Sequence, residues 1–189
     1  MSGPGAPIVS ISYRLATADD IPTLNLLIPI SVRALLAGHY TTQQVEGALS
    51  YGIFGVDSQL IADGTFVVAE ADGQIVGCGG WSKRKTLYGA DHLNLQATVD
   101  ELLDPTTDAA RIRAFFIDPS WARRGIGRRI MELCEDAAQQ AGFRRAQLGA
   151  TPPGERLYAA MGYAVTERFA IPLADDEVLP AAHMVKSLA

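Results

Sequence analysis

From Ile126 onward, apolar side chains return at Ile130, Leu133, Cys134, Ala137, Ala138 and Ala141, while Glu132, Glu135, Asp136, Gln139 and Gln140 fall between them. That spacing predicts an amphipathic helix, ended by Gly142. Other periods are shorter. Ile11 to Leu15 alternates as a strand, and Thr65 to Ala69 and Gln74 to Trp81 read as two strands joined by the tight turn Asp72-Gly73. Arg111 to Ile117 and Arg145 to Ala150 predict two more strands, and Tyr163 to Leu173 with His183 to Leu188 a final antiparallel pair. Thr17-Ala18-Asp19-Asp20 is a capping-box start for a helix whose apolar face is Leu24, Leu27, Ile28 and Leu35, with Pro29 expected to kink or divide it. Thr41 and Gln44 form a second capping box, for a helix reaching about Leu49. Pro152-Pro153-Gly154 reads as a turn, and Glu155 to Met161 as a short helix closed by Gly162. Ser82 to Ala110 shows no strong period and is long for a structureless connection, so part of it is expected to be ordered and functional. Within it, Leu95, Val99, Leu102 and Leu103 suit a short helix, and Lys83, Arg84 and Lys85 a solvated basic patch.

The order is therefore strand, two helices, hairpin, strand, helix, strand, helix, two strands. Short strands with mostly hairpin connections and one strand-helix-strand crossover predict an α+β protein in α/β/α layers. Its centre is a mixed, mostly antiparallel sheet of about six to seven strands with helices on both faces. The 189 residues, 48% hydrophobic, suit one domain over residues 11–189 behind a loose tail at residues 1–10. A net charge of −5 argues against a general nucleic-acid binder. Cys78 and Cys134 make neither a disulfide framework nor a zinc site, and His39 and His183 lack ligand-spaced partners, so no metal is expected. Neither a leader pattern nor a long apolar span is visible, and the expectation is a reduced, cytoplasmic protein without membrane contact.

Candidate chemistry concentrates between Phe115 and Ile130, where a strand turns into a helix opening on Gly125 and Gly127. A helix N-terminus carries partial positive charge and favours acidic side chains, yet here it holds Arg123, Arg124, Arg128 and Arg129. An anion docking on the free backbone N–H groups, most simply a phosphate, explains that choice. No Lys follows the glycines as a P-loop requires, and Ile130 stands where a dinucleotide fingerprint needs a third Gly.

Arg124-Gly125-Ile126-Gly127 resembles the pyrophosphate loop of the GNAT superfamily of acyl-CoA-dependent N-acyltransferases, although Ala122 stands at the family's Gln/Arg slot. Leu157-Tyr158-Ala159-Ala160-Met161-Gly162-Tyr163 resembles the family's later Phe/Leu-Tyr-x-x-x-Gly-Phe/Tyr signature, and the order of elements is the GNAT order from about Tyr13 onward. The resemblance implies acetyl-CoA as cosubstrate, held by Arg123, Arg124, Gly125, Ile126, Gly127 and Arg128, with Thr151 replacing the family's Asn. It also implies a pantetheine arm along the backbone of Phe115, Phe116 and Ile117, an amide near Ile117 facing the thioester oxygen, and Tyr158 as acid for the departing sulfur. The activity implied is acetyl transfer to a primary amine, on a small molecule or a peptide, by direct attack; a homodimer is implied as well. The alternative is a degenerate acyl-CoA-binding sensor or scaffold.

Where some family members carry a general base, this chain has Arg111, which stays protonated and cannot serve. Glu70, Asp118, Asp91 and His92 are the remaining candidates, acting directly or through water. Acceptor selection is expected from the Leu36 to Thr42 break and the Ser82 to Ala110 loop. The acidic total favours cationic acceptors such as polyamines or aminoglycosides.

Overall fold

The computed structural model describes residues 10–85, 101–174 and 176–188. Seven strands form one sheet: β1 (Ile11–Leu15), β2 (Phe66–Ala71), β3 (Gln74–Ser82), β4 (Ala110–Ile117), β5 (Arg145–Ala150), β6 (Ala164–Pro172) and β7 (Val178–Ser187), in the order β1-β2-β3-β4-β5-β7-β6. Every neighbouring pair is antiparallel except β4 and β5, joined through a crossover helix. The helices are α1 (Ile21–Leu35), α2 (Thr42–Ser50), α3 (Ser58–Ala62), α4 (Ile126–Gln140) and α5 (Pro152–Ala160). One core cluster packs α4 and α5 on one face of the sheet, and a second packs α1, α2 and α3 on the other. The expected layers and mixed sheet are thus present.

Local signals account for much of this. At α4 the buried side chains are Ile126, Ile130, Met131, Cys134 and Ala138, and Gly142 closes the helix with a φ of 94°. Both capping boxes form, at Thr17 with Asp20 and at Thr41 with Gln44. Asp72 and Gly73 take φ of 51° and 75°, the left-handed pair that a two-residue hairpin needs.

Tertiary context changed several expectations. Pro29 lies inside α1 without dividing it. Its missing N–H would have bonded the carbonyl of Asn25, an exposed residue. Leu35, expected on the apolar face, is exposed, while Val32 and Leu36 are buried instead. Helix α3 was not anticipated; Asp57 caps it by accepting a hydrogen bond from the Leu60 amide at 3.1 Å. Pro152-Pro153-Gly154 is the first turn of α5 rather than a separate turn, since proline at the helix start gives up an N–H that has no partner there anyway. Strand β7 begins at Val178, five residues before the predicted start, because β6 pairs with it through Pro172.

The expected basic patch is a paired one. Arg84 holds Asp63 by two hydrogen bonds of 2.7 Å, largely out of water, and Lys85 pairs with Glu101. Leu103 is buried and its amide donates to the Lys83 carbonyl at 2.8 Å, so the C-terminal part of the long connection is ordered. The tail through residue 9 and residues 86–100, with Leu95, Val99, Asp91 and His92, lie outside the described residues. Among the described residues no helix is long and apolar enough to cross a membrane.

Candidate active site

Strands β4 and β5 pair only at Ala110 with Ala146 and Arg111 with Gln147. From Ile112 to Ile117 they diverge, and the gap opens into a cavity of about 900 Å³. The other edge of β4 stays on β3 but is bulged: Cys78 pairs with Phe116 and Gly80 with Arg113, leaving Ala114 and Phe115 opposite Gly79. Ala114 takes a φ of 62°, the left-handed conformation that makes such a bulge possible. A side chain at Gly77 or Gly79 would lie 2.8 Å from Ile117 or Phe115 respectively, so glycines in β3 make room for the side chains of the bulged strand. That signal was present in the sequence as three glycines inside a strand.

The bulge decides which backbone groups face the cleft. The Asp118 amide donates to Val76 of β3 at 2.9 Å, so strand alternation turns the Ile117 and Phe115 amides the other way. The Ile117 N–H is taken: it donates at 3.0 Å to Oγ of Ser31, a buried residue of α1. The expectation of an amide near Ile117 facing a ligand therefore shifts to Phe115.

At the mouth of the cleft the chain turns into α4. Arg123 and Gly125 adopt φ of 65° and 82°, and the Gly125 carbonyl accepts the first helical bond from Arg129 at 3.0 Å. The Ile126, Gly127 and Arg128 amides precede that bond and have no helical acceptor. An ideal Cβ at Gly125 meets nothing within 4 Å, so the approach to these amides is open. Arg123 and Arg128 line the cavity with Gly125, Ile126 and Gly127. Arg124 does not; its guanidinium lies 4.5 Å over the Trp121 ring and donates to the Ser120 carbonyl at 3.3 Å. Arg129 pairs with Glu132 at 3.1 Å on the helix surface.

Phe115, Phe116, Ile117, Thr151 and Tyr158 all line the same cavity. The Tyr158 ring meets Phe115 and Tyr163 edge to face, at centroid distances of 6.4 and 6.2 Å, and burial pushes its hydroxyl up to about 12. A Cβ at Gly154 would come within 2.9 Å of that ring, so this glycine lets Tyr158 lie along the first turn of α5.

The proposed bases fare differently. Glu70 is ion-paired with Arg14 at 2.7 Å on the β1 side of the sheet, and Asp118 accepts from the Ser120 amide and hydroxyl at 2.8 and 2.5 Å. Neither lines the cavity. His183, weighed from the sequence only as a metal ligand, does, as do Gln147, Phe169 and Arg156, which sequence reasoning passed over. His183 sits between buried Ala182 and Met184 on β7, an alternation that turns it to the opposite face, toward α1 and α2. Among the described residues five arginines and no aspartate or glutamate line the cavity, so the chain's acidic total resides elsewhere and the expectation of a cationic acceptor loses its basis.

The fold and the cleft together define a protein that can seat an extended, anion-bearing ligand between two splayed parallel strands. Residues 39–163 match the acetyltransferase (GNAT) family, and the chain belongs to that family. Similar solved structures share the fold at low identity. A GCN5-related N-acetyltransferase from Rhodopseudomonas palustris is 20% identical, with 97% of this chain and 99% of that one covered at a TM-score of 0.69. The PaiA N-acetyltransferase of Thermoplasma acidophilum, solved with coenzyme A, is 16% identical over 94% and 99% of the two chains at 0.65. YncA of Salmonella typhimurium, solved with its cofactor acetyl-CoA, is 16% identical over 95% and 94% at 0.59. A search of curated protein sequences finds no significant match.

Proposed function

We propose that this protein transfers an acetyl group from acetyl-CoA to a primary amine by direct attack of the amine on the thioester. The observation that carries this reading is the opening between β4 and β5, with open backbone amides at one end and Tyr158 beside it. The residues present suit the coenzyme. The Ile126, Gly127 and Arg128 amides, flanked by Arg123 and Arg128, would hold its pyrophosphate, and the unpaired edge of β4 would hold its pantetheine arm like an added strand. Acetyl-CoA supplies an activated acyl group. The chain supplies position and charge: the Phe115 amide as donor to the thioester oxygen where negative charge develops, and the Tyr158 hydroxyl as the proton source for sulfur.

In the transfer a nitrogen–carbon bond forms and the carbon–sulfur bond breaks; the amine gives up a proton and sulfur gains one. His183, the histidine of the described lining, takes that proton, directly or through water. The arginines of the lining stay charged, and Tyr158 stays protonated.

Calorimetric titration with acetyl-CoA, coenzyme A and ATP tests the cradle. Micromolar binding of the first two without the third is the expected result, and no binding of either coenzyme removes the proposal. A coenzyme-binding module without turnover would bind yet release no thiol across a broad amine panel.

A further inference from the structure

Arg111 is the unexplained group in this cavity. It lies where β4 and β5 are still paired, opposite Gln147, and its side chain belongs to the face of the sheet that carries α1, α2 and α3. Its Nε and Nη1 are buried and have no hydrogen-bond partner among the described residues. The neighbouring Arg113 is held by Asp57, a fully buried carboxylate, at 2.8 Å. Asp108 acts on Arg111 only through space, and its own carboxylate is engaged by the Asp104 amide at 2.8 Å. Burial and the like charge of Arg113 both press against the charged form, which an arginine nevertheless keeps. Two buried guanidinium nitrogens without an acceptor are costly, and they persist where a ligand completes them.

Its surroundings say what that ligand is. Gln147 offers a polar group beside it, and the same cavity is lined by His183 and by an apolar wall of Phe169, Ile171 and Ala181 from β6 and β7. No aspartate or glutamate of the described lining competes for the guanidinium. We infer that Arg111 is the specificity-determining residue for the acceptor, and that it binds a carboxylate carried by the amine substrate. This inference rests on the acetyltransferase reading of the same cavity. From Arg111 to Phe115 is four residues, roughly 13 Å of strand rise before the bulge shortens it. An arginine stem spans only part of that distance. The amine and the carboxylate of the acceptor therefore stand several bonds apart, as in an ω-amino acid or in an acidic amino acid bound through its side chain.

The test uses the whole protein saturated with coenzyme A and a ladder of ω-amino acids from glycine to 6-aminohexanoate, with L-aspartate and L-glutamate, each against its matched carboxamide. Equilibrium binding is read by calorimetry, and KM by thiol release with acetyl-CoA. At least tenfold tighter binding of carboxylate over amide, greatest above glycine in the ladder, is expected. Arg111→Gln should bring that ratio near one and raise the KM for the preferred carboxylate roughly 10- to 100-fold, with Arg111→Lys restoring part of it. Equal binding of acid and amide at every length, or no binding of either, overturns the inference, and the unaltered protein alone decides this if a variant fails to fold. Titration with acetyl-CoA is run separately. Its failure removes the acetyltransferase reading, while the acid-to-amide binding ratio, measured also on the protein without coenzyme, still reports on Arg111.

Discussion

Gly125 and Gly38 form a natural pair for testing the anion cradle. Their φ angles are 82° and 81°, and at each an added Cβ meets nothing within 4 Å. Only Gly125 lines the cavity. An alanine at either position must hold a left-handed backbone, which costs roughly 1–2 kcal/mol. It also removes conformational freedom from the unfolded chain, which returns about 0.4–1 kcal/mol. The net loss is on the order of 1 kcal/mol in both, or roughly 2–4 °C in Tm for a chain of this size. Coenzyme affinity separates them. A methyl at Gly125 occupies the approach to the Ile126 and Gly127 amides, and loss of one charge-assisted hydrogen bond is worth about 1.5–3 kcal/mol. Gly125→Ala should therefore bind coenzyme A roughly tenfold to a hundredfold more weakly, and Gly38→Ala within about twofold of the native protein. Thermal melts confirm equal strain, and calorimetry reads the affinities. Equal affinity in the two variants would show that the amides at the start of α4 do not hold the coenzyme.

Other predictions concern single groups. Tyr158→Phe keeps the ring contacts with Phe115 and Tyr163, so Tm should hold while kcat falls about a hundredfold or more; unchanged turnover refutes the acid assignment. Because the Tyr158 hydroxyl is raised in the folded state, its contribution to stability is intact below pH 10 and is lost as pH rises through about 12, which alkaline unfolding followed by tyrosine absorbance will read against Tyr158→Phe. Asp57→Ala strips the buried partner from Arg113 and the cap from α3, and should cost about 3–5 kcal/mol in urea unfolding; a loss under about 1 kcal/mol would mean the pair is dispensable. Cys78 and Cys134 are fully buried, with both thiols pushed up by desolvation, so neither should react with a thiol reagent in the folded protein; rapid native labelling would contradict that burial.

The sequence by itself determined the pieces whose physics is local. The period of α4, the capping boxes at Thr17 and Thr41, the Asp72-Gly73 turn and the glycines ending α4 and α5 each act over a few residues, and each forms where expected. The arginines crowded at the start of α4 break the local preference for acidic residues there, and Arg123 and Arg128 among them line the cavity. Arg124, by contrast, was indistinguishable from Arg123 and Arg128 until Trp121 came to lie beneath it.

What only the tertiary structure decided depends on register between distant segments. That β4 and β5 part after Arg111 and Gln147, that Ser31 occupies the Ile117 amide, and that His183 and Phe169 face the same space as Arg111 are consequences of pairing across tens of residues. A one-residue change of register would turn His183 to the other face, and no nearby residue records which register wins. Charge shows the same divide. The composition adds to −5 over the whole chain, yet the described wall of the cavity carries arginines and no carboxylates. A sum over residues does not say where they are placed, and it is the placement around the cavity that a substrate meets.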